Sequence, residues 1–138
     1  MKSQIQKVYL KLEADGKSVL SIMLTAGGAL NRQGDGSGDP DFDRFFMGST
    51  TDGLFERFMA EVSEEMLEWS GRYELPDPKG ERCVLTLAFE GKDIDTGFEF
   101  KYGAESEGPP EEFLALFDLA TELTDPWYEN QLNRNRRN

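Results

Sequence analysis

The chain has 138 residues, 38% of them hydrophobic and 12% aromatic, the size and composition of one folded domain rather than of two domains or a disordered tail. Its 15 basic and 27 acidic residues leave a net charge of −12, which argues against direct nucleic-acid binding through phosphate neutralisation. Histidine is absent, which excludes Ser-His-Asp and Cys-His relays, imidazole metal sites and histidine proton switches.

Residues 5–13 alternate, with Val8, Leu10 and Leu12 on one side and Tyr9, Lys11 and Glu13 on the other, the period of a half-buried strand. Asp15-Gly16 separates this run from a second one, Val19 to Thr25, and tolerates the positive φ of a two-residue turn, so the chain opens on a β-hairpin. The first 30 residues hold lysines and acids in place of an apolar leader, and no stretch approaches the ~20 apolar residues of a membrane span. A cytoplasmic location is the expectation.

Residues 27–44 are rich in glycine and aspartate and show neither helical nor strand period, which predicts a long functional or mobile loop. Phe45, Phe46 and Met47 follow as a short buried strand. From Thr51 or Asp52 as N-cap, apolar residues from Leu54 to Trp69 recur at helical spacing, and Gly71 stops the helix. Its opposite face carries Glu61, Glu64, Glu65 and Glu68 in one stripe, an acidic ridge.

Arg72 to Leu75 reads as a short extended segment, and Pro76 to Gly80 as a turn cluster. Cys83, Leu85, Leu87 and Phe89 alternate with Val84, Thr86 and Ala88, both sets small or apolar, which suits a central strand covered on much of both faces. Phe98, Phe100 and Tyr102 alternate with Glu99 and Lys101 to complete a second hairpin. Pro109-Pro110-Glu111-Glu112 opens a last long helix, which Asp125-Pro126 is expected to end. Trp127, Tyr128 and Leu132 then pack back, and the basic tail 133–138 frays.

The fold expected is α+β: a single domain over 1–138, with one antiparallel sheet of about four or five strands and two amphipathic helices on one face, in the order ββ(β)αββα. Cys83 is the lone cysteine, so it closes no intrachain disulfide and reads as a small core residue in a reducing compartment.

Three functional readings compete. Residues 12–133 hold nine basic residues against all 27 acidic ones, and so acidic a body favours a non-enzymatic, inhibitor-like interaction module, monomeric or weakly dimeric, for a basic protein partner. Its site would centre on Glu61, Glu64, Glu65 and Glu68. The alternative is calcium or another hard cation held by Asp35, Asp39, Asp41 and Asp43, since alternating carboxylates on a Gly-rich turn can wrap one ion. The EF-hand pattern fails, however, at Pro40, where the turn glycine belongs, and at Phe46, where the closing glutamate belongs, so turn-forming aspartates in a solvated loop take precedence. Gly34, Gly36 and Gly38 are set among acids with no following Gly-Lys-Ser/Thr, which rules out a phosphate cradle, and Arg32 and Arg44 are expected to pair with the loop's aspartates. A carboxylate-based hydrolase ranks last, because nothing singles out a catalytic pair among the acids.

Overall fold

The computed structural model describes residues 1–136. Seven strands, β1 (Ile5–Ala14), β2 (Lys17–Thr25), β3 (Ala29–Gln33), β4 (Phe45–Ser49), β5 (Gly71–Glu74), β6 (Arg82–Gly91) and β7 (Ile94–Gly103), make one sheet in the order β4-β3-β2-β1-β6-β7-β5. Helices α1 (Leu54–Met59), α2 (Glu64–Leu67) and α3 (Glu111–Arg136) complete the fold. The class is α+β, but the sheet has seven strands rather than four or five. It is also mixed, because β5 pairs parallel to β7 while every other pairing is antiparallel.

Both expected hairpins form. Asp15 and Gly16 take φ of 50° and 79°, the left-handed pair that lets β1 turn directly into β2. Val8, Leu10 and Leu12 of β1 meet Leu24, Ile22 and Leu20 of β2, and on the other side Phe89, Leu87 and Leu85 of β6. This face of the sheet is buried beneath Leu54, Phe58, Phe113, Leu116 and Ala120 of the helices. The other face is not covered by a second layer, so Val84, Thr86 and Ala88 of the central strand are half-buried instead of enclosed. Cys83 is likewise half-buried rather than a core residue.

The loop expected over 27–44 is shorter than its composition suggests. Leu30 and Arg32 alternate inward within it as part of β3, and Pro40–Phe42 form a 3-10 turn capped by the Asp39 side chain. β4 does follow, but at the sheet edge, with Phe45 and Met47 exposed rather than buried. Two of its features explain the position: Gly48 leaves room for Trp127, whose Cζ2 lies 2.7 Å from where a Cβ would sit, and Phe46 packs edge-on to Tyr128 at 5.7 Å.

The long helix expected after residue 51 is broken in two. Gly53, at φ 68°, takes the N-cap position of α1 in place of Thr51 or Asp52. Ser63 then leaves the helical region at φ −90°, ψ 152°, and its hydroxyl accepts from the Met66 N–H, so a Ser-Glu-Glu start begins α2 within the same apolar run. α3 runs on through Pro126 where an end was expected. Pro126 forfeits its own N–H and crowds the Glu122 carbonyl, but the segment beyond it is held by buried Tyr128 and Leu132, as the packed-back aromatic segment predicts. Residues 133–136 therefore continue the helix instead of fraying; Arg137 and Asn138 of the expected tail lie outside the described residues.

Candidate functional site

The break at Ser63 redistributes the acidic ridge. Glu64 and Glu65 occupy the first turn of α2 and Glu68 its C-cap, whereas Glu61 stands in the connection from α1, so the four do not form a stripe on one continuous helix. All four are exposed. Glu64 is engaged at the start of the chain: its carboxylate accepts from the Lys2 backbone N–H at 2.8 Å and lies 3.5 Å from the Met1 ammonium. Glu61, Glu65 and Glu68 form no ion pair with any described residue.

The aspartates of the Gly-rich segment serve mainly to shape its backbone. Asp35 accepts from the Ser37 N–H at 2.9 Å and from its hydroxyl at 2.5 Å, and Asp39 accepts from the Asp41 N–H at 2.9 Å. Asp43 accepts from the Gln33 amide and lies 3.7 Å from the Lys17 ammonium. Burial alone would raise the Asp35 carboxyl, but the Ser37 hydroxyl and backbone N–H groups hold it below its ordinary value. Among the described residues no group of three or more Cys, Asp or Glu side chains is placed to hold a metal ion.

Arg32 makes no direct ion pair or hydrogen bond with these aspartates, although its charge helps to lower the Asp35 carboxyl. It is buried on the core face of β3, where its Nε donates to the Gly34 carbonyl at 2.9 Å and its Nη1 to Thr124 Oγ1 and Asp125 Oδ1, each at 2.9 Å. The Tyr128 hydroxyl completes the junction: it accepts from the Gly34 N–H at 3.1 Å and the Arg44 N–H at 3.2 Å, and reaches the Phe42 carbonyl at 2.5 Å. Both ends of the Asp-rich segment are thus pinned to α3. Arg44 lies over the Phe46 ring, 5.8 Å from its centroid.

An aromatic groove of about 400 Å³ opens between β5, β7 and the start of α3. Its walls are Trp69, Tyr73, Phe100, Tyr102, Pro109 and Phe113, and Glu74, Lys101 and Glu107 border it. Tyr73 stacks on Phe100 at 5.0 Å with 13° between the rings, and its hydroxyl donates to the Trp69 carbonyl at 2.5 Å. Phe113 sits 4.9 Å from Phe100 and 6.2 Å from Trp69. Trp69 nevertheless remains 39% exposed and Tyr73 44%.

Sequence reasoning passed over this groove. Helical spacing assigned Trp69 to a buried face, and Pro109-Pro110 reads as a helix start; the visible signal was the row of rings at Tyr73, Phe98, Phe100 and Tyr102 beside two prolines.

Two titratable groups, Cys83 and Tyr102, are shifted by their surroundings. Burial first, then the neighbouring Glu81 and Asp15 charges, push the Cys83 thiol above its ordinary value, which leaves little thiolate at neutral pH. Burial, with Cys83 nearby, also raises the Tyr102 phenol. Glu74 and Glu107 are both exposed, whereas general-acid work by a carboxyl calls for burial. No helix among the described residues is long and apolar enough to cross a membrane. No protein-family model matches the chain, and a search of curated proteins finds no match.

Proposed function

We propose that this protein is a non-catalytic interaction module that engages a basic protein through its acidic surface around α2. The observation that carries this reading is the set of exposed carboxylates at Glu61, Glu65 and Glu68, unpaired among the described residues, with Glu64 beside them. Five basic side chains are paired with other acids: Lys7 with Glu90, Lys11 with Glu13, Lys17 with Asp43, Arg32 with Asp125 and Arg72 with Glu99. Like charges at helical neighbour positions cost a few tenths of a kcal/mol per pair in isolation, a cost that a cationic surface relieves. Such a field also accelerates encounter with a basic partner and weakens as salt rises.

Charge reversal tests the assignment. Combined Glu61→Lys, Glu65→Lys and Glu68→Lys substitutions lower the association rate of the basic partner recovered from native lysate by about tenfold or more at low salt, an effect that shrinks at high salt. An unchanged rate with unchanged salt dependence removes these residues from the site.

A further inference from the structure

We propose that the aromatic groove between β5, β7 and α3 is the seat of a proline-rich segment flanked by lysine or arginine, carried by the basic partner. This rests on the reading above and adds to it the chemistry of the contact. Trp69 and Tyr73 are two of the four exposed aromatic rings among the described residues, and they lie on one groove. Their positions are fixed before any ligand arrives, Tyr73 by its stack on Phe100 and its hydrogen bond to the Trp69 carbonyl, Trp69 by Phe113. Preformed aromatic walls spare a ligand much of the ordering cost of binding.

The groove's polarity selects the backbone that can lie in it. Its walls are mainly rings, with charged groups confined to the Glu74, Lys101 and Glu107 border, so a peptide N–H buried against the rings would lose water without gaining an acceptor there. A polyproline II segment has no internal hydrogen bonds to break, carries few N–H groups and presents flat rings to aromatic faces. Its carbonyls need donors, and Trp69, a wall residue, carries an indole N–H with no hydrogen-bond partner among the described residues. Charge fixes the flanks. Glu74 and Glu107 border the groove against the single Lys101, and Glu68, Glu111 and Glu112 stand close to it along the chain at the end of α2 and the start of α3, so a cation is favoured beside the apolar centre.

The experiment is selection of a random peptide library displayed on phage against the full chain, with the Trp69→Ala variant for counter-selection. Circular dichroism and thermal melting establish that the variants remain folded. The expected result is enrichment of sequences with prolines separated by two intervening residues and a flanking lysine or arginine. Synthetic peptides of those sequences shift tryptophan emission on binding, lose at least tenfold affinity to Tyr73→Ala and to Glu107→Lys, and lose less to Trp69→Phe, which keeps a ring but not the indole N–H, than to Trp69→Ala. Enrichment of proline-free sequences, no enrichment that depends on Trp69, or equal affinity for Tyr73→Ala overturns the proposal. Capture of the basic partner separates the two claims: a partner lost by the Glu61, Glu65 and Glu68 reversals but retained by Trp69→Ala and Tyr73→Ala sinks the groove and leaves the acidic surface standing.

Discussion

The guanidinium of Arg32 lies 4.6 Å from the centre of the Tyr128 ring, so a charge on β3 and an aromatic on α3 meet at the one ion pair with a buried member among the described residues. Arg32 is 1% exposed while its partner Asp125 is 45% exposed, so one member is fully desolvated and the other keeps its water. Four acceptors surround the guanidinium: the Gly34 and Thr121 carbonyls, Thr124 Oγ1 and Asp125 Oδ1. The pairing is a structural lock that ties the Asp-rich segment to the last helix.

Removing the lock has a graded cost. Arg32→Ala leaves the Gly34 carbonyl without its donor and opens a cavity over Tyr128, for an expected loss of about 2–4 kcal/mol in urea denaturation. Tyr128→Phe keeps the ring but abandons the backbone groups of Gly34 and Arg44, for about 1–2 kcal/mol. A change below about 0.5 kcal/mol in Arg32→Ala, the range of ordinary surface substitutions, would show that the network does not hold the loop.

Gly48→Ala tests the packing of the β4 edge on α3. The added methyl meets Trp127 Cζ2 at 2.7 Å, and a rigid indole can give way only by shifting β4 or the helix. The expected destabilisation is about 1–2 kcal/mol by thermal or urea unfolding, the range of mild overpacking. No strain at this φ contributes, so a neutral result would mean that the edge strand moves freely relative to Trp127.

The Asp-rich segment yields two linked expectations. The Asp35 carboxyl is held below its ordinary value, so its contribution to stability is complete above that value and is lost as pH falls through the lower, folded one. Asp35→Asn should therefore be the less stable form at neutral pH, and the gap should close between about pH 5 and about pH 2, read as melting temperature against pH. A constant gap across that range would contradict the assignment. Since the Asp35 and Asp39 carboxylates already serve the turns and that of Asp43 meets Gln33 and Lys17, adding millimolar calcium after chelation should leave the melting temperature unchanged; a rise would restore the cation reading of Asp35, Asp39, Asp41 and Asp43.

Cys83 should alkylate slowly. Its thiol is raised by burial and by the charges of Glu81 and Asp15, so at neutral pH its iodoacetamide rate falls several-fold below that of free cysteine and climbs as pH rises past about 9. Glu81→Gln should accelerate the reaction. A rate at neutral pH equal to or above that of free cysteine would refute this environment.

Much of the sheet was legible because its signals are local. Alternation in β1, β6 and β7 and the Asp15-Gly16 turn depend on neighbours a few residues apart, and both hairpins follow from them. What escaped depends on distant partners. Leu30 and Arg32 share the inward face of β3, yet a charged side chain masks a strand pattern until Thr124 and Asp125, some ninety residues on, are seen to receive it. Pro126 reads as a stop unless the burial of Tyr128 and Leu132 beyond it is known. Ser63 was open to reading, since Ser-Glu-Glu is a helix start, but the continuous apolar period across it concealed the break. The candidate acidic residues other than half-buried Asp43 were legible as exposed acids, whereas the groove required β5 to join β7 in parallel, a pairing no local pattern announces.

The most direct test of the acidic-surface account is a pull-down from native lysate at low salt, with elution by a salt step and identification by mass spectrometry. Wild-type protein should recover a basic protein in stoichiometric amount, released by salt, and the Glu61→Lys, Glu65→Lys, Glu68→Lys variant should not. Recovery of no such protein, or its equal recovery by the charge-reversed variant, would contradict the account.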